Sequence, residues 1–206
     1  MKCPQLNPLA AALFLAMAAV ALAAPRTATA EQATLTLDSM SFISFQEHEW
    51  LLLPAGSKIR FSFGQPDSSG AIPFTIDPND IAIPPVDVPS LGKELHYGLS
   101  SLATGVVRPS GDGRIIEFTG MVKATLSGAD GGSFIYPIDF TTETVSATDA
   151  IGSLDVEVTG LRLIENVWYA QIVGATTNHE NAFPEPGAAV YTVLSGQFDQ
   201  LPISTD

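Results

Sequence analysis

Between residues 114 and 126 the chain alternates in chemistry with a period of two. Ile116, Phe118, Val122, Ala124 and Leu126 fall on one side, and Glu117, Thr119, Lys123 and Thr125 on the other. Successive side chains of a β-strand point to opposite faces, so such a run is a strand with one face in a core and one in water. Residues 133–141 repeat the pattern with Phe134, Tyr136, Ile138 and Phe140 inward, after the turn-forming stretch Ser127-Gly128-Ala129-Asp130-Gly131-Gly132. These two runs predict a hairpin.

The same reading places strands at 33–45, 49–53, 58–63, 95–107, 154–164, 167–175 and 189–199, most of them rich in β-branched or aromatic residues and bounded by Gly, Pro, Asn or Asp. Ile164-Glu165-Asn166-Val167 is short enough for a tight antiparallel connection. Beyond residue 30, no stretch of ten or more residues carries the i, i+3, i+4, i+7 spacing of an amphipathic helix. Parallel strands would need long, usually helical crossovers. The expected fold is therefore a single all-β domain, an antiparallel β-sandwich or a flattened β-barrel. Gly120, Gly160 and Gly196 each follow a hydroxyl residue within a predicted strand, where an isolated glycine marks a bulge or bend.

Residues 1–30 read as an export signal: Lys2 precedes an uncharged apolar run from Leu9 to Ala24, and Ala28-Thr29-Ala30 is a small-x-small cleavage site. The mature chain is expected to begin at Glu31 and to be periplasmic or extracellular. Cys3, the single cysteine, precedes the apolar run and would leave with the signal. What remains has no disulfide framework and no thiol nucleophile, so burial must stabilise it. Loss of Lys2 and Arg26 leaves seven basic against 22 acidic residues, a net charge of −15. So acidic a chain repels phosphate backbones and anionic lipid surfaces. Nucleic acid is not an expected partner, and no membrane span is expected.

Two segments interrupt the strand pattern. Residues 64–93 carry Pro66, Pro73, Pro78, Pro84, Pro85 and Pro89. Proline cannot donate to a sheet ladder, so this stretch is expected at an edge or in a surface excursion. Within it, Asp77-Pro78-Asn79-Asp80 offers Asp77 and Asp80 as carboxylate ligands for calcium, although it lacks the EF-hand pattern; the alternative is that Asp77 caps a turn. Residues 176–187 carry His179, Glu180 and Asn181, polar groups that no core requires, and these are the candidate ligand-binding residues.

Signatures of specific chemistry are missing. There is no Gly-x-Ser-x-Gly, His-Glu-x-x-His or phosphate-binding Gly-rich loop, and no Asn is followed two residues on by Ser or Thr. Glu47 and Glu49 would share a strand face at a glycosidase-like spacing of roughly 7 Å, but a solvated charged turn between two strands is the simpler reading. The expected function is a non-enzymatic binding or structural module. Its alternatives are a barrel that carries a lipid or another apolar ligand, and a hydrolase using carboxylates such as Glu47 and Glu49 with His179.

Overall fold

A computed structural model describes residues 31–45, 49–110, 113–142, 161–176 and 190–203. The longest alternating run is also its longest strand, β10 (Gly113–Leu126), paired with β11 (Ser133–Thr141) from Glu117↔Thr141 to Thr125↔Ser133. Its inward face is the one the alternation predicts: Ile116, Phe118, Val122 and Ala124 are buried, as are Tyr136, Ile138 and Phe140 opposite them.

From this hairpin the sheet closes on itself. β11 pairs with β13 (Val167–Thr176), β13 with β14 (Val190–Phe198), and β14 with β1 (Glu31–Leu37). β1 pairs with β4 (Lys58–Phe63), β4 with β5 (Ile72–Ile76), β5 with β9 (Ala103–Ser110), and β9 returns to β10. Every pairing is antiparallel. The result is a closed eight-stranded barrel in a single domain, which leaves no free edge in the ring. A short strand β12 (Leu161–Ile164) joins β13 through Glu165 and Asn166, which have φ of 50° and 67°. Two consecutive positive φ values make the tight hairpin turn whose twist suits antiparallel strands.

Two runs read as single strands are each two strands laid end to end along one partner. The run 95–107 is β8 (Lys93–Leu99) followed by β9, both on the same edge of β10. Between Thr119↔Thr104 and Val122↔Leu99, three steps along β10 face five along its neighbour, a two-residue bulge. Gly120 lies at the bulge, where a side chain would meet Leu99 Cδ2 at 2.8 Å. The run 33–45 behaves in the same way, since β1 and β2 (Phe42–Phe45) both lie along β14 with extra residues between Leu37↔Gly196 and Phe42↔Val193. Here Ser41 Oγ donates to the Ser195 carbonyl at 2.8 Å and accepts from its N–H at 2.9 Å, which pins the bulge.

At each bulge the far neighbour changes. β9 continues to β5, but β8 pairs with β7 (Val86–Val88); β1 continues to β4, but β2 pairs with β3 (Glu49–Leu52). The barrel wall therefore forks twice, and above the closed ring stand two wings, β2–β3 carried on β14 and β8–β7 carried on β10. Strands β3 and β7 approach each other.

The proline-rich stretch 64–93 does not lie wholly at an edge. Its strand β5 is a stave of the ring, with Pro73 opposite Val106 and its carbonyl accepting from Gly64 N–H at 2.7 Å. It then forms a single 3-10 turn (Pro78–Asp80), the two-residue β6 (Ile81–Ala82) on β4, and β7. Residues 81–88 thus run as a strap from β4 to the β8 wing. No helix among the described residues is long and apolar enough to cross a membrane.

The two levels are filled differently. The closed ring holds Phe61, Phe63, Phe74, Phe118, Phe140 and Phe198. Phe61 lies 5.1 Å from the ring centroids of both Phe74 and Phe198, and Phe118 stacks on Phe140 at 4.3 Å. Such pairs add about 0.5–1.5 kcal/mol each beyond the area they bury. Between the wings the buried residues are mainly aliphatic, among them Ile43, Leu51, Leu53, Val86, Val88 and Leu95.

Candidate functional site

Where ring meets wings, the interior contains a cavity of about 30 Å³. That is room for roughly a water or two. Its walls are apolar: Ile59 and Ile76 from the ring, Ile81 and Ile83 from the strap, Leu99 from the β8 wing, and Val122. A closed eight-stranded barrel has an interior just wide enough for side chains or one small ligand, and here side chains occupy most of it.

The polar groups at this level are hydroxyls. Tyr97 of β8 and Thr192 of β14 face the cavity from opposite walls, and Tyr97 Oη lies 2.6 Å from Thr192 Oγ1. This hydrogen bond ties the β8 wing to β14 across the interior. Tyr136 of β11 contributes a third hydroxyl. It is completely buried, makes no hydrogen bond of good geometry, and interacts with the Tyr97 phenol. The phenols of Tyr97 and Tyr136 lie close enough to affect each other's ionisation, and the Tyr97 oxygen keeps a lone pair for Tyr136 whichever way its bond to Thr192 runs. Burial pushes both phenols far above the usual tyrosine range, and for Tyr97 the hydrogen bond with Thr192 offsets part of that rise. Both are neutral, donor-capable hydroxyls at any physiological pH.

Of the residues singled out in the sequence, Asp77 and Asp80 are described and do not line the cavity. Asp77 caps the 3-10 turn, its Oδ1 accepting from Asn79 N–H at 2.9 Å and from Asn79 Nδ2 at 2.7 Å. Asp80 pairs with Arg60 at 3.2 Å on the outside of β4. Each carboxylate is thus already engaged by a protein donor, and no group of three or more His, Cys, Asp and Glu side chains converges among the described residues. His179, Glu180 and Asn181 lie outside the described residues, as do Glu47 and His48 and most of the predicted strand 154–164. The chain does leave β13 at Thr176, opposite Ile138, and re-enter β14 at Val190, two residues before Thr192. That is the winged end of the barrel.

Sequence reasoning missed the hydroxyl group because its members come from three distant strands. One signal was available: Tyr136 sits at an inward position of an alternating run, and an inward phenol needs a partner.

Fold and site together define a closed antiparallel β-barrel with a plugged ring and a winged, hydroxyl-bearing end. No protein-family model, curated protein or solved structure matches the chain.

Proposed function

We propose that this protein is an exported, non-enzymatic binding module that takes a small, largely apolar molecule between the wings of its barrel. One observation carries the reading. An apolar cavity lies where ring meets wings, with Tyr97 and Thr192 on its wall, and the strap 81–88 closes it with two side chains, Ile81 and Ile83. Binding pockets are typically apolar with a few placed polar groups, which is the composition found here. Export is supported by the signal-like features of residues 1–30.

The test uses N-phenyl-1-naphthylamine, a neutral apolar fluorophore that brightens when it leaves water. The wild-type protein is expected to bind it saturably. Ile83→Ala removes a plug from the strap and should tighten binding several-fold, whereas a probe adsorbed to the outer surface would not respond. Absence of saturable binding, or indifference to Ile83→Ala, would refute the reading.

A further inference from the structure

The winged level repeats the ring with one join missing. Because β1 and β2 lie end to end on β14, and β9 and β8 end to end on β10, a second circuit runs β3–β2–β14–β13–β11–β10–β8–β7 and shares β14, β13, β11 and β10 with the closed ring. Every neighbouring pair along it is joined by a ladder except its two ends. Cα atoms of β3 and β7 come within 8 Å of each other, but no strand pairing links them. The ring is weakest on the same side, where β4 and β5 share only Ser62↔Thr75 and Phe63↔Phe74.

Side-chain packing alone holds this seam shut. Leu51 and Leu53, on and just after β3, and Val86 and Val88 of β7 are buried behind it. Parting two laddered strands breaks a row of backbone hydrogen bonds, whereas parting β3 from β7 breaks none and gives up only apolar contact. An unpaired edge accepts a strand from a partner unless it is blunted. Here β7 has three residues between Pro85 and Pro89, and β3 has four. Short edge strands and flanking prolines keep edges from pairing with other chains, so these edges suit a passage better than a strand-docking site. The seam also leads to the cavity: Ile81 and Ile83, in the strap that runs into β7, line it, and so does Thr192, whose partner Ile43 lies on the strand that carries β3.

From this arrangement we infer that small apolar ligands reach the interior sideways, through the seam between β3 and β7, which acts as a lateral gate. The inference rests on the reading of the winged end as the binding site. One wing moves with β14 and the other with β10, and the ligand passes between the side chains of β3 and β7 to Ile81 and Ile83. A gate alters the path and not the bound or free state, so it sets how fast a ligand arrives and leaves, not how tightly it is held.

The test links the two edges from outside. Leu52 of β3 and Asp87 of β7 are exposed, and the chain has a single cysteine, Cys3, so the full chain with Cys3→Ser, Leu52→Cys and Asp87→Cys presents one thiol at each edge. Joining them with dithiobis(maleimidoethane) should slow association and dissociation of N-phenyl-1-naphthylamine alike, by about tenfold or more with Kd unchanged, and reducing the disulfide within the linker should restore both rates. The same link between Thr125→Cys and Ser133→Cys, facing positions that a ladder already holds, should change neither. A variant that needs no reagent, Val88→Ala, thins the packing behind β7 and should speed association several-fold. If the linked protein takes up the fluorophore as fast as the reduced one, if the reagent fails to join the two positions, or if Val88→Ala leaves association unchanged, entry is not through this seam and the inference is overturned, although the binding reading survives. Failure of the fluorophore to bind the wild type removes the reading and the inference with it.

Discussion

Two tyrosines on strands that flank β10, Tyr97 and Tyr136, differ in their hydrogen bonding. Tyr97 makes the hydrogen bond to Thr192 that joins two walls of the barrel, so Tyr97→Phe strands the Thr192 hydroxyl and should cost about 1–2 kcal/mol. Tyr136 makes no hydrogen bond of comparable geometry, so Tyr136→Phe should cost less than Tyr97→Phe, under about 1 kcal/mol. Chemical denaturation of the two variants checks this, and a marked destabilisation by Tyr136→Phe would mean that its hydroxyl is satisfied. The same burial fixes the alkaline behaviour. Both phenols have native values raised above the unfolded value of 10.0. Their contribution is thus fully present below pH 10 and is lost as pH climbs from there toward the native values, at about 1.4 kcal/mol per pH unit for each tyrosine. Removing both, in Tyr97→Phe/Tyr136→Phe, should flatten that alkaline decline; an unchanged slope between pH 10 and 12 would contradict it.

At the scale of elements, turn chemistry and strand bulges decide how the sheet is laid out. The β12–β13 turn places Glu165 at φ 50° and Asn166 at φ 67°, a conformation that Asn tolerates and Glu does not favour. Glu165→Asn should therefore stabilise the protein by roughly 0.5–1 kcal/mol, raising the melting temperature by about 1–4 °C for a domain of this size. A lowered melting temperature would show that the Glu165 side chain has a role that its backbone angle does not reveal. The bulges act differently. Near them Gly196 lies so close to the Thr36 carbonyl that a side chain has no space, and Gly120 admits Leu99 and Ala103 to the inner face of β10. These glycines are needed for close approach, and the wings diverge from the ring at the positions they mark.

For the whole molecule, the division into an aromatic ring and an aliphatic winged end sets where change is tolerated. Phe61 touches four other phenylalanines, and truncating such a residue costs about 3–5 kcal/mol, a large part of the 5–15 kcal/mol that holds a domain together. The strapped end is secured by short ladders. Export is a proposal that rests on the signal-like residues 1–30. Mass spectrometry of the protein from its native host should give a chain starting at Glu31, free of Cys3; a retained Met1 would rule out cleavage, and with it this route of export.

Local chemistry was enough to reveal the strands. The alternation of 114–126 and 133–141, the Gly-rich turn between them and the four residues Ile164 to Val167 state their structure directly, because period two and turn residues act within a few positions. The choice between sandwich and barrel was not legible, since it depends on β1 meeting β14 across more than 150 residues of chain, and a strand's pattern says which face is buried but not which strand lies beside it. For the same reason the runs 33–45 and 95–107 looked continuous: each does follow one partner, and only the neighbour on the far edge, β4 or β3 and β5 or β7, separates its halves. Pro73 pointed to an edge because it lacks an N–H, yet β5 is a stave of the ring, closed on one side by β9 and on the other by a brief pairing with β4. The candidate site is the most tertiary feature of all. Tyr97, Tyr136 and Thr192 are ordinary inward residues of three separate strands, and their common level inside the barrel exists only once closure and two bulges have set the registers.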